Sequence, residues 1–283
     1  MDVRLASTGQ IVDVHRGTRV FTLAVSPSTA GPFLVVLVPI AVLVGALVHG
    51  HRRKRAKEDS LHRLLAREPA WTRVIAPCGL GARELAGRSS ATPRGDRRFG
   101  VRWGVGGPLT LSIGGRDTPC DASFFQWYSE QRHTSRHKGR TATRYREVTQ
   151  TVGLVRLPVS SPAVRIGSES LFGRMGLTRG GDQVESSEFN RRFRVEGHDR
   201  TLTVQLLDAN LQRELLEGFR GRSIELTSDL LVLGGSPDHR DASLTGVVGE
   251  FPAVRQDIER LVRQVPAQFW RAIGADRADT RGA

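Results

Sequence analysis

From Ala30 to Val48 the chain carries no charge, and His49-Gly50-His51-Arg52-Arg53-Lys54-Arg55 follows at once. Between Phe33 and Val48 every residue is Val, Leu, Ile, Ala or Phe, apart from Pro39 and Gly45. Nineteen helical residues at about 1.5 Å rise reach about 28 Å, close to the roughly 30 Å hydrocarbon core of a bilayer. A basic cluster directly after such a run marks the cytoplasmic flank of a membrane helix. A cleaved signal peptide has the opposite order, charge first and a small-residue site afterwards, and Ala46-Leu47-Val48 is a poor site. A buried core helix is amphipathic and shorter, whereas this run is apolar on all sides. Pro39 is tolerable because a kinked membrane helix can satisfy its freed carbonyl locally. The pattern predicts one transmembrane helix over 30–49, with 1–29 outside the cytoplasm and the remainder cytoplasmic at the plasma membrane.

The net charge of +13 is unevenly spread. Residues 51–150 carry 21 Lys or Arg against 9 acids, whereas residues 151–283 carry 18 Arg against 18 acids. Basicity confined to the half beside a bilayer points to anionic lipid headgroups, worth about 1 kcal/mol per basic residue near the surface. Arg52, Arg53, Lys54, Arg55 and Lys57 form the expected lipid-facing cluster. Cys78 and Cys120, the two cysteines, fit neither a paired redox motif nor a metal-ligand spacing and read as structural thiols.

The pattern along the chain predicts an α+β fold. Ile11-Val12 and Val20 to Leu23 are strand-forming, and trimming them as an upstream start would leave the span untouched. Glu58 to Arg67 is an amphipathic helix with Leu61, Leu64 and Leu65 on one side, continuing the membrane helix and ended by Pro69. Trp71 to Ala76 is a short strand, and the Gly/Arg-rich stretch up to 107 has loop chemistry. Period-two alternation begins at Leu109, with Gly114-Gly115 as a turn; Ser123 to Tyr128, Thr141 to Leu157 and Ala163 to Ile166 continue as strands. Arg132 to Arg140 reads as a polar loop between hairpin arms. Leu202 to Phe219 is helical with a break near Asp208-Ala209-Asn210. Ile224 to Leu233 reads as a hairpin around Thr227-Ser228-Asp229, and Asp241 to Gln264 as a helix kinked or restarted at Pro252. The expected organisation is an N-terminal segment (1–29), a membrane helix (30–49), a basic juxtamembrane region (50–107), an α+β domain (108–270) and a flexible tail (271–283).

The segment Glu188-Phe189-Asn190-Arg191-Arg192-Phe193-Arg194-Val195, followed by Leu206-Leu207-Asp208, resembles that of uncharacterised actinobacterial membrane proteins. These carry a cytoplasmic domain of unknown function behind one or two membrane helices. The resemblance covers roughly residues 30–270, with about twenty residues carrying its sharp part. It implies no activity and supplies no catalytic residues. The N-terminal extension and the 79–107 region depart from it.

Glu188, Phe189, Asn190, Arg191, Arg192 and Phe193 are nevertheless the candidate functional segment. On a strand Phe189, Arg191 and Phe193 would share one side; the plainer reading is that the two phenylalanines fill the core. Other motifs fall short. Gly79-Leu80-Gly81 opens like a dinucleotide fingerprint, but Glu84 stands where the third glycine belongs. Ser135-Arg136-His137-Lys138 has an acyl-transfer spacing without its companion motifs. His133 and His137 suit a metal-binding helix face, but surrounding Arg and Lys residues would repel a cation. No metal or cofactor is expected.

Three functions compete. The preferred one is a non-enzymatic membrane-anchored module that binds an unidentified protein. The second is a membrane-bound hydrolase or transferase assembled from Glu188, Asn190, His198 and Asp208. The third is nucleic-acid binding by the basic half, through Trp71, Trp103, Trp127, Phe124, Phe125 and the Arg132–Arg140 segment; lipid attraction accounts for the same charge and ranks it last.

Overall fold

The computed structural model describes residues 2–5, 11–16, 19–24, 33–137, 140–168, 186–219, 221–235 and 246–274. Side chains are described from Val42 onward, except at 53, 136, 137, 140, 168 and 246–249. Two compact units divide between Lys54 and Arg55. In the first, β1 (Asp2–Leu5), β2 (Ile11–Arg16) and β3 (Arg19–Ala24) form an antiparallel meander with Asp2 opposite His15 and Ile11 opposite Ala24.

Helix α1 runs unbroken over Phe33–Arg67. The expected span begins at 30–32, outside the described residues, and most of its side chains lie outside them too. Among the described residues no helix is long and apolar enough to cross a membrane. Where side chains are described, Leu43, Val44, Leu47 and Val48 are exposed.

The second unit, from Arg55 onward, is α+β, built on a six-stranded sheet ordered β4-β5-β6-β7-β8 with β9 paired to β7. Its strands are β4 (Thr72–Val74), β5 (Phe99–Ile113), β6 (Arg116–His137), β7 (Arg140–Ser168), β8 (Phe193–Gly197) and β9 (Ser223–Gly234). All pairings are antiparallel. Gly114 (φ 60°) and Gly115 (φ 85°) turn β5 into β6, since a two-residue hairpin of this type needs both central residues left-handed. A bulge between Arg102 and Val105 adds one residue to β5. It lets Val101 face one side of the sheet with Trp127, while Val105 faces the other with Phe124.

Both faces are buried. On the first, Val105, Leu109, Phe124, Val155, Ile166 and Leu231 pack against the helices. These are the end of α1, α3 (Ser187–Arg192), α4 (Arg200–Leu206), α5 (Ala209–Gly218), α6 (Gly246–Gln264) and α7 (Ala267–Ala272). Leu61 of α1 is buried there, and Trp71 stacks on Phe124 at 5.1 Å. Gly153 of β7 lets α6 approach: a Cβ there would sit 2.7 Å from Ile258 Cδ1 and 2.8 Å from Val254 Cγ1. On the second face Phe125, Trp127, Val152, Leu154, Leu230 and Val232 are covered by Leu80, Leu85 and Ala91. These come from a 3-10 turn at Pro77–Gly79, from α2 (Ala82–Leu85) and from the loop after it. Trp127 Nε1 donates to Pro93 O at 3.0 Å and completes the lid.

Four sequence expectations need correction. The region up to 107 is not all loop: it covers the second face, and β5 starts at Phe99, where glycines (Gly100, Gly104, Gly106, Gly107) hide the strand pattern. Arg132 to His137 is strand rather than loop, paired through to His137 opposite Arg140. Ile224 to Leu233 is one continuous strand; Ser228 takes a left-handed conformation (φ 52°) as β9 passes the bulged stretch of β7 between Arg156 and Val164, instead of turning. The start of the expected tail is helical, because Arg271 and Ala272 end α7; 275–283 lies outside the described residues. The break near Asp208 agrees with expectation; Pro252 lies inside α6, which does not restart there, and 241–245 of the expected helix lies outside the described residues.

Candidate functional site

The segment from Glu188 to Phe193 forms a helix entering a strand, not the strand expected. Ser186 caps α3 by accepting from Phe189 N at 3.2 Å, and Phe193 opens β8. Positions four apart meet on a helix as they do on a strand, so Phe189 and Phe193 are both buried in either geometry. Glu188 and Arg192 form an exposed pair at 3.0 Å, and Arg191 is exposed. Asn190 is half-buried, its backbone N–H bonded to Ser186 O at 3.1 Å.

The dispersed enzymatic set of Glu188, Asn190, His198 and Asp208 is spread over α3, the turn after β8 and the N-cap of α5. Asp208 caps α5, accepting from Leu211 N at 2.8 Å, while His198 is exposed and Glu188 is held by Arg192. Among the described residues no group of three His, Cys, Asp or Glu side chains could hold a metal. Glu84 of the would-be dinucleotide loop pairs with Arg88 at 3.2 Å. A cavity of about 20 Å³ beside Trp270, Leu206, Leu226 and Leu261 is lined by apolar side chains.

The cysteines occupy opposite faces of the sheet. Cys120 lies in the helix-covered core, while Cys78 reaches Ser123 Oγ (3.6 Å) and Asp121 O (3.4 Å) on the other side. Burial pushes both thiols up, Cys120 to about 11; for Cys78, the Ser123 hydroxyl and Arg156 charge offset part of the rise. Thiols so protonated are poor nucleophiles.

Of the basic cluster at 52–57, Arg52, Lys54 and Arg55 are exposed and Lys57 is half-buried; the Arg53 side chain lies outside the described residues.

The segment read from sequence as a polar loop, and named there as a nucleic-acid candidate, is part of a two-stranded arm. Beyond the sheet body β6 and β7 keep pairing from Gln131 opposite Arg146 to His137 opposite Arg140. Gln131 to Ser135 and Thr141 to Glu147 are all exposed. Residues 131–146 include six Lys or Arg and no acid. Register puts Gln131, His133, Arg144 and Arg146 on one side and Arg132, Thr134, Thr143 and Tyr145 on the other. The segment 94–98 is tied to its base. Asp96 N donates to Glu130 O at 2.8 Å, Glu130 N to Arg98 O at 2.7 Å, and Arg132 N to Asp96 Oδ2 at 2.5 Å. Arg97 thereby lies over the Tyr145 ring, 4.5 Å from its centroid. Below, Arg102 grips Glu147 with two bonds of 2.7 and 3.0 Å and stacks on Tyr128 at 3.7 Å. His133 stands opposite Arg144, which disfavours a cation there.

No family model, no curated protein and no solved structure matches the chain.

Proposed function

We propose that the chain is a single-pass, membrane-anchored, non-enzymatic interaction module whose α+β unit works at the cytoplasmic face of the plasma membrane. One observation carries this reading: a single helix, α1, contains the apolar run, the basic cluster and, at Leu61, a residue of the core. The exposed Leu43, Val44, Leu47 and Val48 would face acyl chains, and Arg52, Lys54 and Arg55 would meet anionic headgroups. A protein partner fits the second unit, whose C-terminal half is charge-balanced. The resemblance to actinobacterial proteins with a cytoplasmic domain of unknown function is consistent with this arrangement.

Alkaline extraction of membranes tests the anchor. The full chain should stay in the pellet, whereas Val36→Arg with Val42→Arg should be released. Equal release of both would sink the anchor. Cross-linking in intact cells tests the partner: a discrete heterologous adduct is expected, and recovery of the chain alone or only with itself would count against one.

A further inference from the structure

We infer that the arm formed by β6 and β7 between residues 131 and 146 binds duplex DNA, seating in the major groove with its arginines on the flanking phosphates. This does not depend on the anchor reading, since it rests on residues of the second unit alone. Seven paired rungs give an arm about 20 Å long, at roughly 3.4 Å per step. A two-stranded ribbon is one of the two protein elements that a major groove about 12 Å wide admits. Arg132, Arg144 and Arg146 are exposed, and none is in an ion pair with a described residue. Their charge is therefore available to an outside anion.

The distribution of charge selects the partner. Arg144 and Arg146 stand on one side of the ribbon and Arg132 on the other, while Arg94, Arg97 and Arg98 widen its base. A flat headgroup surface or a flat acidic protein face meets one side of a ribbon, whereas a groove sets phosphates along both. The arm also offers little to an acyl layer: Ala142 is small, and Tyr145, though exposed, carries the Arg97 guanidinium over its ring. Gln131, Thr134, Ser135 and Thr143 are short hydrogen-bonding groups suited to base edges and phosphates. The narrow major groove of A-form RNA would not admit the ribbon.

Binding of a short fluorescent DNA duplex by the full chain in detergent, measured between about 50 and 200 mM salt, tests this. At about 0.9 per phosphate contact, engagement of three to six cations gives a log–log slope of about −3 to −5. Arg132→Gln, Arg144→Gln and Arg146→Gln combined should flatten the slope by about 2.7 and weaken low-salt binding at least about tenfold. The corresponding triple Lys variant should keep most of the affinity, because it keeps the charge. Thermal unfolding of both variants should coincide with the parent, as the replaced side chains are exposed. No duplex binding by the parent, or a slope shallower than about −2, would overturn the inference without any variant. So would a Gln variant that binds with the parent's slope, or binding abolished instead by neutralising Arg52 to Arg55. Capture of vesicles containing phosphatidylserine, with none of the duplex, would also overturn it and assign the arm to membrane.

Discussion

Phe189 and Phe193 stack with ring centroids 5.0 Å apart and planes 19° from parallel, one ring from the helix α3 and the other from the start of the strand that follows it. The pair fastens α3 to β8 and fills the core beneath both. Emptying it should be costly: Phe189→Ala is expected to lose about 3–5 kcal/mol. Arg191→Ala should stay within about 0.5 kcal/mol, as an exposed substitution does. Chemical unfolding of the two variants decides between a packing segment and a surface site. A neutral Phe189→Ala, or a large loss of stability from Arg191→Ala, would contradict the packing role.

Glu225 is a second anchor point, and a buried one. Its Oε1 accepts from Ser90 N at 2.7 Å and from the Ser90 hydroxyl, while Oε2 lies 3.5 Å from Arg165 Nε without hydrogen-bond geometry. The carboxylate thus fastens the loop covering the second face to β9. Glu225→Ala strands the Ser90 donors and leaves Arg165 unpaired, at an expected cost of about 3–5 kcal/mol. Glu225→Gln keeps an acceptor for Ser90 and should cost less. Proteolysis should show the 86–92 region opening first in Glu225→Ala. Equal stability of the Ala and Gln variants would remove the proposed clamp.

Cys120 sets a pH window. Burial, with Asp121 and Cys78 adding to it, pushes its thiol from near 9 up to about 11. The folded state therefore disfavours the thiolate. Below about 9 both folded and unfolded chains hold the proton, and the stability is fully present. As pH rises from about 9 to about 11 the unfolded chain deprotonates first, so stability is lost. Relative to Cys120→Ala, the parent should lose stability through that window and run parallel below it. Parallel curves throughout would show that the thiol is not desolvated.

The predictions trace back to unequal legibility in the sequence. Leu109 to Tyr128 was readable because Leu109, Leu111 and Ile113 alternate with polar residues, Ser123 to Tyr128 is rich in aromatic residues, and Gly114-Gly115 marks the turn. The arm was not: strands exposed on both sides lose the alternation that burial imposes, so Arg132 to His137 looks like loop. Phe189 and Phe193 carry a spacing of four, which suits helix and strand alike, and only the capping serine at 186 signalled the helix. Thr227-Ser228-Asp229 has turn chemistry, yet β9 follows β7 past a bulge instead of reversing. The fold class followed from local pattern; the candidate site depended on how far two strands continue to pair, which is a nonlocal property.

Topology decides whether the cytoplasmic reading holds. The five Arg and Lys of residues 52–57 outweigh Arg4, Arg16 and Arg19, which lie mostly further from the span. Residues 1–29 are therefore expected outside and 50–283 inside. The native thiols are poor reporters, Cys120 being buried and Cys78 half-buried with a raised pKa. A background with both replaced by Ala, carrying either Ser28→Cys or Ser135→Cys, gives a clean readout, since Ser135 is exposed on the arm. With an impermeant thiol reagent on intact cells, Ser28→Cys should label and Ser135→Cys should not. After permeabilisation both should label. Adding neutral replacements at Arg52, Arg53, Lys54 and Arg55 should weaken or invert the pattern, because the orienting charge is then gone. Labelling of Ser135→Cys in intact cells with Ser28→Cys protected would falsify the orientation, and with it the cytoplasmic reading.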